Sequence, residues 1–173
     1  MPKQTFLNLS AHKQDNISNI LFEEFSNYSL LEANVGRIVK AAGIARGSFY
    51  TYFADMDDAY LWSLKEVFGQ IHESLAGDDP VQASIDFVNH VEGQKYYNFL
   101  SNYYVINQAI LEAHHQGDVA ASLNLALAKR DLPAWLGEVA IHQLVRAYFL
   151  APDNKADIMA VLKQLDKWYK KEK

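Results

Sequence analysis

The stretch Ala33-Asn34-Val35-Gly36-Arg37-Ile38-Val39-Lys40-Ala41-Ala42-Gly43-Ile44-Ala45-Arg46-Gly47-Ser48-Phe49-Tyr50-Thr51-Tyr52-Phe53 decides the fold. Asn34 is a favoured N-cap residue. Val35, Ile38, Val39 and Ala42 then give a short helix one buried side. Gly43 stands where a left-handed residue ends a helix, and Ile44 plugs the turn that follows. A second short helix spans about 46–53, anchored by Phe49 and Phe53 four residues apart. Two short helices joined by a glycine-containing turn make a helix-turn-helix. Its outer face carries Arg46, Ser48, Thr51 and Tyr52, which can donate hydrogen bonds to phosphates or base edges.

On either side of this stretch, apolar residues recur with a period of 3.6 and strand-like alternation is nearly absent. The pattern predicts about nine helices, at 10–28, 34–42, 46–53, 55–75, 80–91, 95–115, 118–130, 133–150 and 153–171. Ile17, Ile20, Leu21, Phe25 and Tyr28 stripe the first. Asp55, Asp57 and Asp58 open the fourth, where the helix dipole favours acids. Gly77, Pro80, Gly93, Gly117, Pro133 and Pro152 mark later joints.

Composition narrows the function classes. Of 173 residues, 50% are hydrophobic and 21% charged, enough to fill a core and too apolar for a disordered chain. Cysteine is absent, which excludes disulfides, thiolate metal sites and a cysteine nucleophile. No apolar run approaches the roughly 18 residues of a membrane span. The first residues, MPKQTFLNLSAHKQ, lack the apolar stretch of a signal peptide, so a cytoplasmic protein is expected. The net charge is −5, with six basic and eight acidic residues in 1–68 and ten and thirteen in the remainder. That excludes a polycation that coats nucleic acid, and leaves room for a local basic patch.

Gly43 to Phe53 resembles the recognition segment of the TetR family of bacterial transcriptional regulators. Ile38-Val39-Lys40-Ala41-Ala42 resembles the family's second helix, and the Ile17, Leu21, Phe25 stripe resembles its first. The resemblance covers roughly residues 10–68; the remainder is similar in length and helical layout. It implies an all-α chain with a three-helix DNA-binding domain at 1–55 and a helical ligand-binding and dimerisation domain at 56–173. It implies further that Arg46 and Gly47 start the recognition helix and approach bases or backbone. Ser48, Tyr50 and Tyr52 match positions that touch phosphate or thymine methyl groups, Thr51 points into the groove, and Asn34 caps its helix beside a phosphate. The sequence departs from the family at two places. Met56 stands where a phosphate-holding lysine is common, among Asp55, Asp57 and Asp58, and each lost phosphate contact shallows the salt slope by about 0.9. Ala45 replaces the usual polar cap, a loss of about 1 kcal/mol that Asp55 or a DNA phosphate would have to offset.

In the C-terminal part, Tyr96 to Ile106 is rich in aromatics. On one continuous helix, Tyr96, Leu100, Tyr103 and Asn107 share a face, and Phe99, Tyr103, Ile106 and Ile110 share the next. Such a helix suits plain core, with tyrosine hydroxyls at its margin. It equally suits an apolar cavity with a few polar groups. Trp62, Phe68, Phe87 and Tyr103 would then supply walls, and Asn107, Gln108 and His114 polar contacts. The family resemblance favours the cavity, because such regulators sense small molecules in this domain. His114 and His115 near Glu112 and Asp118 make a poor metal site, since neighbours on a helix diverge by about 100°. No cofactor is expected. With neither a nucleophile elbow nor a glycine-rich phosphate loop, an enzyme is not expected either.

The two closing helices carry wide apolar faces. Leu136, Ala140, Leu144 and Ala147 run along one, and Ile158, Val161, Leu162, Leu165, Trp168 and Tyr169 along the other. They serve either the monomer core or a four-helix interface between two copies, the arrangement by which the family dimerises. The resulting expectation is a homodimeric, ligand-responsive regulator bound to double-stranded operator DNA. It would be a repressor released by a small apolar or aromatic effector, with no membrane partner. The alternative is a helical small-molecule binding or interaction protein with weak or lost DNA binding, motivated by the acids at 55–58.

Overall fold

The computed structural model describes residues 1–75, 79–114 and 125–172, and every regular element among them is helical. Eleven α-helices occur among the described residues. They are α1 (Gln4–Leu7), α2 (Ala11–Asn27), α3 (Val35–Ala42), α4 (Arg46–Tyr52), α5 (Met56–Ser74), α6 (Pro80–His90), α7 (Tyr97–Asn102), α8 (Gln108–His114), α9 (Leu125–Arg130), α10 (Leu132–Leu150) and α11 (Lys155–Glu172). Among the same residues, no helix is long and apolar enough to cross a membrane.

The chain divides into two compact units. Unit 1 comprises Met1–Ser74 with Asn98–Asn107, and unit 2 comprises Leu75–Tyr97 with Gln108–Lys173. A cut at residue 55 would pass through unit 1. Compactness and the division of labour read from the sequence are therefore different partitions.

In unit 1, α2 buries Ile17, Leu21 and Phe25 along one stripe. Asn34 caps α3 by accepting the Gly36 N–H at 2.6 Å. Gly43, at φ 63°, ends the helix in the left-handed conformation, and the Ile44 N–H reaches back to the Val39 carbonyl at 3.1 Å. Phe49 and Phe53 are buried on the inner side of α4, with Ile38 of α3. The helix α1 was not expected from the pattern. A single apolar anchor holds it: Phe6, fully buried, packs on Phe53 (ring centroids 5.0 Å) and Trp62 (5.6 Å).

The continuous helix expected over 95–115 is broken. It starts at Tyr97, widens into a π-helical turn over Tyr103–Asn107, and resumes as α8 to His114. The wider turn puts Asn107 inside, fully buried, where its Oδ1 accepts the Leu30 N–H at 2.8 Å. One turn earlier, Asn102 Nδ2 donates to the Phe25 and Ser26 carbonyls, both at 3.1 Å, satisfying the open end of α2. The two face assignments made for a single helix therefore do not extend across 103–107. Of the helix expected at 118–130, 125–130 is helical; 118–124 and the joints at Gly77 and Gly117 lie outside the described residues.

Unit 2 is built on α6, α10 and α11, which pack on one another. Asp79 caps α6, accepting from Val81 N at 3.0 Å, and Pro80 takes the first helical position. A 3₁₀ turn at Pro152–Asn154 joins α10 to α11. The Tyr148 hydroxyl donates to Glu92 at 2.6 Å, and Lys155 reaches the same carboxylate at 3.1 Å. Those two partners hold the Glu92 carboxyl below the usual carboxylate range.

Two glycines give opposite expectations. A Cβ at Gly137 of α10 would meet the Tyr169 ring of α11 at 3.0 Å, whereas one at Gly69 of α5 meets nothing within 4 Å. Gly69→Ala should therefore raise stability by about 0.5–1 kcal/mol through helix propensity. Gly137→Ala should lose that gain to the displaced ring and melt at or below the unaltered protein. Thermal denaturation of the two variants checks both signs.

Candidate nucleic-acid interface

The recognition segment is held from three sides. From below, Phe49 and Phe53 fix α4 to the core. At its carboxyl end, the backbone carbonyls of α4 would lack intrahelical partners, and the N-terminal segment supplies donors. The Lys3 N–H donates to the Tyr52 carbonyl at 2.7 Å, Lys3 Nζ to the Tyr50 carbonyl at 2.8 Å, and the Thr5 hydroxyl to the Thr51 carbonyl. In front, α3 is tied to α2 by Glu24. This buried carboxylate accepts the Asn34 N–H at 2.8 Å, Arg37 Nε at 3.0 Å and Arg37 Nη2 at 2.6 Å. The Arg37 guanidinium also lies 3.8 Å from the centre of the Tyr28 ring and donates to the Glu32 carbonyl at 2.7 Å. Its charge is thus spent within the protein.

What this leaves outward is a short polar face. Arg46 begins α4, is exposed, and has no partner among the described residues. Gly47 beside it is exposed with open space above its Cα. Tyr50 is 43% exposed and its ring meets Phe49 edge-on. Thr51 is exposed, and its hydroxyl donates to the Ser48 carbonyl at 2.7 Å. Ser48 and Tyr52 are half-buried, and the Tyr52 ring stands edge-on to Phe6. Asn34 spends its side-chain oxygen on the α3 cap and keeps its amide nitrogen. All seven positions singled out in the sequence thus lie on the α3–α4 hairpin, with Asn34, Arg46, Gly47, Tyr50 and Thr51 exposed. Lys3 was missed: it sits at the edge of α4, and no pattern marks it.

The acids ahead of α5 are placed differently from the sequence reading. Asp55 caps α5, accepting the Asp58 N–H at 2.8 Å, so it does not replace the missing cap of α4, where Ala45 makes no side-chain bond. Asp58 is buried; it accepts the Ala54 N–H at 3.0 Å and pairs with the Met1 ammonium. Its charge is internal rather than turned to DNA. Met56 is half-buried at the first position of α5.

The residues expected to line a ligand cavity fall in both units. In unit 1, Phe68 and Tyr103 meet edge-on at 5.5 Å, Trp62 donates to Ser18 Oγ at 3.5 Å and packs on Phe6, and Asn107 is buried beside Tyr60. Tyr60 itself went unremarked in the sequence. Its ring stacks on Phe99 (5.5 Å, 3°), which stacks on Phe22 (5.6 Å, 9°). In unit 2, Phe87 is half-buried on α6, Gln108 donates to Glu112 at 3.0 Å, and His114 is exposed. Among the described residues no cluster of three or more histidines, aspartates or glutamates is placed to hold a metal; His115 and Asp118 lie outside them.

Neither a protein-family model nor a curated protein matches the sequence. Solved structures do match. One is a TetR family transcriptional regulator from Chloroflexus aurantiacus J-10-FL, at 20% identity and a TM-score of 0.50, over 96% of this chain and 97% of that one. Another is the fatty acid degradation regulator FadR from Bacillus halodurans, at 19% identity and a TM-score of 0.57, over 94% and 96%. The chain has the all-helical fold of these TetR-type regulators.

Met56→Lys tests whether the start of α5 faces a phosphate. If two copies bind DNA together, one cation per copy adds two, and the slope of log affinity against log salt should steepen by about 1.8. Cognate and random DNA should gain alike, because phosphate contacts carry no direct base information. Salt titrations by fluorescence anisotropy measure it, and an unaltered slope in a stably folded variant would place this end away from DNA.

Proposed function

We propose that the chain is a transcriptional regulator of the TetR type. It would act as a homodimer that binds a near-palindromic operator through α4 and is released by a small apolar or aromatic effector. The observation that carries this reading is the exposed, unpaired Arg46 at the head of a helix whose other side is fully anchored. A free guanidinium there can fork onto a guanine edge or a phosphate. The full-length likeness to solved TetR-type regulators supports the reading. Asn34, Gly47, Ser48, Tyr50, Thr51 and Tyr52 would complete the contact surface. A two-fold dimer would present two copies of α4 to half-sites about 34–36 Å apart, or a larger helical multiple.

The proposed dimer face is on α10 and α11. Leu132, Leu136 and Leu150 are 53%, 42% and 52% exposed on α10, and Val161 is 47% exposed on α11. Around α10 they lie away from the buried set Gly137, Val145, Tyr148 and Phe149. A second copy applied to this face would cover the exposed leucines. Effector binding would act by favouring one dimer geometry over another, which requires different affinity for the two.

A second reading, a helical binding protein with little DNA affinity, draws on two observations. Arg37 is consumed by Glu24, and Met56 offers no charge. Retention on genomic fragments at low salt separates the two readings.

Two substitutions test the first. Arg46→Ala should leave the melt unchanged and weaken operator binding. A base contact would cost about 1–3 kcal/mol and relax preference at one position, whereas a phosphate contact would weaken all sequences alike. Binding titrations at fixed salt distinguish these outcomes. Leu136→Glu should yield a folded monomer, because the side chain is already exposed in the single chain and a buried unpaired charge would be costly in the dimer. Sedimentation showing an intact mutant dimer would move the interface elsewhere.

A further inference from the structure

Three side-chain polar atoms in unit 1 are buried without a partner, and two of them, the Tyr60 hydroxyl and Asn107 Nδ2, lie side by side. Both residues are 0% exposed. Buried polar groups are nearly always satisfied, so two orphans side by side need an explanation. Asn107 Nδ2 bears on the Tyr60 hydroxyl oxygen without a well-formed hydrogen bond between them. Asn107 already uses its other end, accepting the Leu30 N–H at 2.8 Å, and that bond fixes which end of the amide is the nitrogen. What remains is a pair of donors, one N–H and one O–H, with no acceptor. Asn107 closes a π-helical turn, and Tyr60, on α5, belongs to an aromatic stack with Phe99 and Phe22. Single π turns inside helices frequently mark functional sites.

The geometry points to the Tyr60 hydroxyl and Asn107 Nδ2 as the polar end of a binding site for an apolar molecule carrying one neutral carbonyl oxygen. A carbonyl oxygen has two lone pairs and can take both donors at once. The surroundings argue for a neutral group. Burial raises the Tyr60 phenol above its ordinary range, the Asn107 amide offsets part of that rise, and no cation among the described residues contributes. A carboxylate here would be buried without a counter-charge, which is far more costly than burying a ketone or ester. The apolar body of the ligand would lie against the aromatic rings.

The same amide links the site to the helix-turn-helix. Leu30 lies in the segment between α2 and α3, and Asn107 holds its N–H with the oxygen while offering the nitrogen to the ligand. Occupancy of one end of a planar group is thereby felt at the other. By linkage, a ligand that prefers one position of this amide changes DNA affinity, and DNA changes ligand affinity by the same factor. Only this coupling rests on the regulator proposed above; the binding site stands without it.

The test uses the whole chain with 2-octanone and acetophenone as probes, and octanoate and octylammonium as controls. At ten times its Kd a neutral ketone should raise Tm by about 3–6 °C. Tyr60→Phe should abolish that rise. Without ligand it should melt close to the unaltered protein, because it removes a hydroxyl that makes no well-formed hydrogen bond. Asn107→Asp keeps an acceptor for Leu30, loses the donor, and should lose the ketone as well. The proposal is overturned if Tyr60→Phe is clearly less stable without ligand, since the hydroxyl then already has an internal partner such as a buried water. It is overturned equally if the ketones shift Tyr60→Phe as much as the parent, if neither ketone shifts the parent, or if octanoate matches them. Anisotropy on DNA with and without 2-octanone reads the coupling. Tyr60-dependent ketone binding by a chain that retains no DNA would keep the site and remove the regulator.

Discussion

A single buried carboxylate holds the hairpin in place. Glu24 projects from α2 and gathers the Asn34 N–H, Arg37 Nε and Arg37 Nη2. The first bond fixes where α3 begins, and the other two fix how it lies across α2. Because α3 leads through only Gly43, Ile44 and Ala45 into α4, the direction of α4 inherits that orientation. A buried charge is tolerable when paired and fully hydrogen-bonded, and Glu24 meets both conditions. The arrangement has a second effect: it takes one of the few cations near α4 out of contention for phosphate, leaving Arg46 as the free one on that helix.

Local chemistry accounts for most of what the sequence revealed. The Asn34 cap, the left-handed Gly43 and the Phe49–Phe53 pair act within a few residues, so their signals survive in one dimension. The fold class followed from the 3.6 period, and so did eight of the nine expected helices in whole or in part; the remaining one, at 95–115, is split into α7 and α8. The failures share a physical cause. Helix α1 depends on Phe6 meeting Phe53 and Trp62, residues about fifty positions away. The π turn escaped because an apolar stripe reads equally well with one extra residue in the coil. The Glu24–Arg37 pair spans two helices, and nothing in either residue's neighbours announces it. Asp58 was read as a surface acid and is a buried one.

For the candidate sites the same division holds. The face of α4 was legible because a short amphipathic helix has only one way to turn. Tyr60 was invisible: as one tyrosine among ten, it is distinguished only by what its hydroxyl lacks. An unmet hydrogen bond is a property of three-dimensional surroundings, and no spacing rule encodes it.

The π turn carries an implication for how this chain tolerates length changes. An α-helix absorbs the widened turn as one surplus residue. Removing any one residue from 103–106 would leave a helix free of irregularity and, by propensity alone, no worse. It would also rotate Asn107 by about 100° relative to α7. Asn102, ahead of the turn, would keep its hold on α2, while Asn107, behind it, would swing off Leu30. A shortened relative with an unbroken helix would therefore keep the anchor and lose the latch. Such a protein would fold as this one does while severing the one amide that spans from the aromatic stack to the segment before α3.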